Sequence, residues 1–303
     1  MGFTSQDDLI NEVTNNGKFQ YDVRFKTIST AQVAAFWTNL GVFNGSEPAS
    51  AYPGTSLTFV PTDDTWADGA WQHGGDVDPD TKHFLYAGAN IVAAAGAPWF
   101  LMAVDQVGYV PITGADVTGT TGRTITMTPI AATAAKVDRY PNGVGLRAFF
   151  STEVAPTAGG PNLTVFGYND PGGTPRVAPV TVGFAATPVI GAVPHSGAAA
   201  TRYAPFIPMA AGTGSTGISD LTNFTLTGGT AYTGSGQLVL HLVKPLWGIP
   251  IPASGIHNVA EFMNMLPNMA RIRDGACIQW MLMNTGATTA NAPLLVESAH
   301  AWG

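Results

Sequence analysis

Three blocks of this sequence occur twice, in the same order, and a repeat of that kind decides architecture before any single residue does. Thr65 to Gly75 matches Thr187 to Gly197 without a gap, so that Gly69, Ala70 and His73 fall on Gly191, Ala192 and His195, an offset of 122. Leu101 to Ile112 matches Leu240 to Ile251, ending Val107-Gly108-Tyr109-Val110-Pro111-Ile112 against Leu246-Trp247-Gly248-Ile249-Pro250-Ile251, an offset of 139. Arg139, Gly143, Leu146, Pro161 and Leu163 match Arg271, Gly275, Ile278, Pro293 and Leu295 at an offset of 132. Shared turn glycines and prolines imply a shared strand order, and the indels between blocks belong in loops. The division this predicts is an N-terminal arm over 1–44, a first unit over 45–172 and a second over 173–303.

Each unit reads as β. Ser56–Val60, Leu101–Val104, Thr124–Met127 and Leu163–Phe166 are candidate strands in the first. Val180–Val182, Phe224–Thr227, Gln237–Leu240 and Leu294–Val296 are candidates in the second. Short strands with regular turn signals predict a mainly β chain of two tandem sandwich or jelly-roll-like units. The 36 Gly and 22 Pro supply the turns, and 45% hydrophobic residues with seven Trp exclude a disordered chain. One helix is expected in the second unit, capped at Asn258, running through Glu261, Phe262, Met263 and Leu266, and stopped by Pro267. The uncharged run 87–104 contains Pro98 and scattered Gly, which predicts two strands around a turn and no membrane span.

The first 44 residues have a different texture. Ser5 stands three residues before Asp8 like a capping box, Leu9, Ile10 and Val13 share one helical face, and Asn15-Asn16-Gly17 is a stop. Phe19 to Phe25 alternates like a strand, and a second short helix is expected over 31–39, with Val33, Phe36 and Trp37 as its apolar face. Phe3, Leu9, Ile10, Val13 and Phe19 are the candidate partner-binding residues of this arm. The sequence leaves open whether the arm docks on a partner subunit or on its own domain.

Charged residues are 11% of the chain and the net charge is −7. An acidic chain with 13 basic residues has no footprint for coating phosphate backbones, so nucleic acid is not an expected partner. Few charges also mean little to desolvate at a subunit interface, whose core is ordinarily depleted of them. Cys277 stands alone, which excludes a disulfide framework and reads as packing. The N-terminus has neither signal-peptide nor myristoylation features.

Chemical motifs are scarce, and no catalytic, cofactor or metal residues are assigned. Gly212-Thr213-Gly214-Ser215-Thr216-Gly217 satisfies G-x-G-x-x-G but lacks a helix after it, so it reads as a loop. Asp76-Val77-Asp78-Pro79-Asp80 alternates carboxylates like a calcium loop, but Thr81 and Gly88 stand where the glycine and the bidentate glutamate are needed. His73 and His195 match each other and read as turn or core histidines hydrogen-bonded to backbone. Asp63, Asp64 and Asp68 around Trp66 and Trp71 could serve a glycosidase, but the second unit lacks all three.

The opening Gly2-Phe3-Thr4-Ser5-Gln6-Asp7-Asp8-Leu9-Ile10-Asn11-Glu12-Val13 and its continuation to Phe19 resemble the start of virion structural proteins from tailed bacteriophages. The segment Leu266-Pro267-Asn268-Met269-Ala270-Arg271-Ile272-Arg273-Asp274-Gly275-Ala276-Cys277 and the Thr/Gly/Ala-rich β texture are similar to the same group. The resemblance implies a head or tail component such as a capsid decoration protein, assembled in the host cytoplasm and bound to neighbouring capsid subunits. It brings no catalytic residues. The sequence predicts self-association, with a homotrimer favoured. The rival expectation is a carbohydrate-binding tail-associated protein using Trp66, Trp71 and Tyr109 as exposed aromatics.

Overall fold

The computed structural model describes residues 3–66, 69–71, 73–92, 97–117, 123–128, 139–186, 188–196, 205–234, 236–263 and 269–303. The described chain begins with helix α1 (Gln6–Thr14), whose N-terminus is capped by Ser5 Oγ accepting from Asp8 N; its C-cap is Asn15, and the αL residue Gly17 follows two residues later. The strands of the first part are β1 (Phe19–Ile28), β2 (Trp37–Asn39), β3 (Val60–Pro61), β4 (Lys82–Ile91), β5 (Trp99–Ile112), β6 (Arg123–Thr126), β7 (Arg147–Val154) and β8 (Ala158–Asn169). Those of the second are β9 (Pro175–Gly183), β10 (Asp220–Thr233), β11 (Gln237–Ile251), β12 (Asn258–Glu261), β13 (Arg271–Ile272), β14 (Ile278–Asn284) and β15 (Ala292–Trp302). The mainly β architecture with a short N-terminal helix is the one the sequence predicts.

All recorded pairings are antiparallel and build three sheets. The first has the order β1-β15-β4-β12 with β13 also on β4, the second β2-β14-β5-β11-β7 with β3 on β5, and the third β6-β10-β8-β9. Exchanging β1 with β9, β4 with β10, β5 with β11, β6 with β12, β7 with β14 and β8 with β15 turns the first order into the third. The same exchange turns β14-β5-β11-β7 into itself. Register obeys it too. The offsets 132 and 139 carry the Ile278–Asp105 pair onto Leu146 and Lys244, one step beyond the observed Arg147–Val243 pair. The strand order is thus symmetric about the central β5–β11 pair. The repeats interlock, because each outer sheet takes strands from both sides of residue 172.

The long central strands serve both cores. Along β11, Leu238, Leu240 and Leu242 pack under the third sheet, whereas Trp247, Ile249 and Ile251 pack under the first. The switch from even to odd positions needs an extra residue, and register shifts at Leu242/Val243 and Pro245/Trp247 provide it. Pro245 sits at that irregularity, where a missing N–H is tolerated. Trp71, Trp247 and Trp280 meet in the first core, the Trp280 ring centroid lying 5.4 Å from each of the other two.

Three local expectations give way to tertiary pairing. Over 31–39 there is no helix: Ala35 has φ 63, and Trp37–Asn39 pairs with β14. Val, Phe, Trp and Thr there are strand formers, and the exposed flank of β14 offers hydrogen bonds that a short helix cannot match. Ser56–Val60 is mostly a turn, because Leu57 takes φ 62 and donates its N–H to Pro111 O. Asn258–Glu261, expected to open a helix, is strand β12 opposite Ala89–Tyr86, with Asn258 Nδ2 donating to Pro250 O instead of capping. The rest of that expected helix, 264–268, lies outside the described residues.

Candidate functional site

Strand β1 has its apolar face outward. Alternation ordinarily puts the apolar set inside, yet Phe19, Tyr21, Val23 and Phe25 are each between 43% and 49% exposed. The other face carries Gln20, Asp22, Arg24 and Lys26. Lys26 is buried, its ammonium donating to Phe43 O at 3.2 Å and lying 3.7 Å from Glu47, which Arg24 also approaches at 3.5 Å. Burial pushes the Lys26 ammonium down and the Glu47 carboxyl up, so desolvation outweighs their attraction. Inward-pointing charge is one of the devices that protect an edge strand from indiscriminate pairing. The edge is further closed at Phe25, whose O accepts from Ser46 N.

Neighbouring strands extend the outward face. Phe25 lies opposite the exposed Leu295, and Val23, Glu297, Gly88 and Val259 form one cross-strand row. The next row is Tyr21, Ala299, Tyr86 and Glu261, with the two tyrosine rings 6.4 Å apart. At the centre Tyr21 Oη donates to Glu297 Oε2 at 2.8 Å, and His257 Nε2 lies 3.1 Å from Glu297 Oε1. The hydrogen bond to Glu297 pushes the Tyr21 hydroxyl up to about 12, so it remains a donor at neutral pH. Gly88 makes this crossing possible, since a Cβ there would lie 2.5 Å from His257 Nε2 and 2.7 Å from Glu297 Oε1.

Helix α1 covers the other end of the same face. Phe3 and Leu9 are buried in the chain's own core and Val13 packs against it, with the Phe3 ring 5.8 Å from that of His83. Of the five candidate arm residues, Ile10 and Phe19 are exposed. The sequence singled out Phe19 but not its strand-mates Tyr21, Val23 and Phe25. The missing information was which face of β1 meets the core, and the charges at 22, 24 and 26 do not reveal it without Glu47.

Residues with chemical potential lie elsewhere and are mostly buried. His73 donates from Nε2 to Ala276 O and His195 from Nε2 to Pro205 O, at 3.0 and 3.1 Å. Burial depresses both, His195 to about 4, so each is a neutral core histidine. The acidic loop points its carboxylates apart: Asp76 accepts from Gly275 N and Asp80 pairs with Lys18 at 2.8 Å. No group of three or more His, Cys, Asp or Glu suited to a metal occurs among the described residues. The 212–217 segment is a loop leading into strand β10, without a following helix. Trp71 and Tyr109 are buried and Trp66 stacks on Tyr109 at 5.4 Å, so these three form no open sugar platform. Asp68 lies outside the described residues.

One constellation was not visible in sequence. Ser151 Oγ donates to His241 Nε2 at 2.7 Å, and His241 Nδ1 donates to Gln106 Oε1 at 2.9 Å. The order imitates a hydrolase triad, but the third member is an amide, not a carboxylate. All three residues are fully buried, the imidazole is stacked on Phe149 at 4.5 Å, and burial depresses it to about 3. The trio satisfies polar groups inside the central sheet.

No family model matches the chain, and no curated protein matches it. Among solved structures there is a weak likeness to the structure of infectious bursal disease virus Gx strain, at 9% identity and a TM-score of 0.20, covering 96% of this chain and 86% of that one. A TM-score of that size carries no inference about fold or function. No helix among the described residues is long and apolar enough to cross a membrane.

Proposed function

We propose that this chain is a non-enzymatic structural protein of a tailed-phage virion, of the capsid decoration or head-associated type, and that it assembles with copies of itself and with capsid subunits. The observation that carries the reading is the outward apolar face of β1. Four large apolar side chains on one strand, continued by Leu295 and Val259, make the kind of contiguous patch that marks protein–protein contact. The tyrosine at its centre donates to Glu297, whose other oxygen lies beside His257, which suits a surface presented in a fixed shape. Low charge favours burial of this face in an assembly, at roughly 25 cal/mol per Å² of apolar area before association costs. The exposed set is strand-borne and pre-formed, so little ordering entropy opposes binding. The stoichiometry that suits two related sheets per chain is a trimer, which presents six similar units around its axis.

Sedimentation of the purified protein tests this. The wild-type chain is expected to sediment as an oligomer, above its 31.5 kDa chain mass. Val23→Asp combined with Phe25→Ser is expected to shift it toward that mass without lowering the melting temperature, because both side chains face solvent in the isolated chain. A wild type that stays at chain mass and fails to bind capsids, or a variant that assembles normally, overturns the reading.

A further inference from the structure

A groove of about 300 Å³ lies beside β11, lined by Tyr140, Val144, Lys244, Leu246, Arg271 and Arg273 among others. Among the described residues that line it are three cations and no carboxylate. Lys244, Arg271 and Arg273 take no part in the ion pairs recorded among the described residues. Two of them converge on one ring: Lys244 Nζ is 5.8 Å and the Arg273 guanidinium 5.0 Å from the Tyr140 centroid. Tyr140 is itself fixed by donating to Asp105 Oδ2 at 2.9 Å.

The repeat explains what the groove lacks. In the first repeat, buried Asp105 is clamped by Arg139 through two hydrogen bonds of 3.1 and 3.2 Å and accepts from Cys277 N at 2.9 Å. The offsets of 139 and 132 carry Asp105 onto Lys244 and Arg139 onto Arg271. The second repeat thus has a cation where the first has its carboxylate, facing an arginine in both. Asp105 is also the cross-strand partner of Lys244 but is fully engaged by Arg139, Tyr140 and Cys277. Burial, then Arg273, then Arg147 push the Lys244 ammonium down, as expected of like charges gathered without a counter-ion. In a chain of 20 acidic and 13 basic residues, such a cluster is not a by-product of overall charge.

We infer that this groove is a binding site for a phosphate-type oxyanion carrying two or more charges, held by Lys244, Arg271 and Arg273 and supplying the negative charge that Asp105 offers to Arg139 in the other repeat. Arginine forks match the oxygens of such a group in pairs, and Lys244 adds a point charge. The volume accommodates a phosphate bearing a further small group.

Isothermal titration with inorganic phosphate and with pyrophosphate, at neutral pH and matched ionic strength, tests the site. Saturable binding is expected, tighter for pyrophosphate. Arg271→Gln and Arg273→Gln should each weaken it by about tenfold, the effect of losing one charge-assisted pair. Arg176→Gln, which removes a cation paired with Asp170 elsewhere, should leave binding unchanged. Melting curves of each variant establish that it is folded, and Arg273→Lys should retain part of the affinity if Arg273→Gln folds poorly. Absence of saturable binding in the wild type, or binding as tight in both folded groove variants as in the wild type, overturns the inference.

Discussion

Glu153 shows how much one buried carboxyl can set. One of its oxygens is buried without a hydrogen-bond partner among the described residues, and burial pushes its pKa up to about 7. Between the ordinary value of 4.5 and about 7, the folded chain holds a proton that the unfolded chain releases. Stability from this group is therefore full below 4.5, declines as pH rises, and is gone above about 7. Glu153→Gln keeps the shape and abolishes the ionisation. It is expected to stabilise the protein by roughly 2–3 kcal/mol at pH 8 and by nothing measurable at pH 4. Denaturant melts at the two pH values decide it, and an equal change at both would refute the burial argument. The histidines behave oppositely: His195 at about 4 and His241 at about 3 stay neutral where an unfolded histidine would protonate, so they withdraw stability as pH falls below 6.5.

At the scale of the element, α1 and β1 separate two kinds of apolar surface that look alike in sequence. Leu9 and Phe3 are buried against the chain's own first sheet, so deleting residues 1–17 is expected to lower the melting temperature by several degrees. Differential scanning calorimetry reads this, and an unchanged transition would mean the helix contributes little to its own core. The helix was legible because its cap, its i, i+4 apolar face and its glycine stop are all local. So were β5, β8, β10 and β11, whose apolar alternation runs long. What stayed hidden depends on distant partners: β12 forms because β4 has a free edge, Trp37–Asn39 because β14 does, and the outward turn of Phe19–Phe25 because Glu47 waits inside for Lys26. The two clearest repeat blocks marked equivalent strands correctly down to register. They did not show which copy each strand would pair with, since exchange between copies leaves the sequence pattern unchanged.

For the whole molecule, that exchange makes the halves interdependent. Each outer sheet needs strands from both, so a chain cut between 172 and 173 is expected to give fragments that do not fold alone but regain β structure when mixed. Circular dichroism of separate and combined fragments measures this, and a cooperative melt from either fragment alone would show that the halves are autonomous. The pairing of β1 with β15 carries a consequence for biosynthesis. Phe19 sits opposite Ala301, so β1 leaves the ribosome long before the strand it pairs with, which lies roughly 280 residues later in the chain. During that wait β1 has the 43–47 segment beside it but lacks its ladder partner, and non-local strand pairing of this kind is slow and exposed to aggregation. The first sheet can be completed only once β15 has been made. Partners that recognise the finished face of that sheet therefore meet chains in which β15 is already in place.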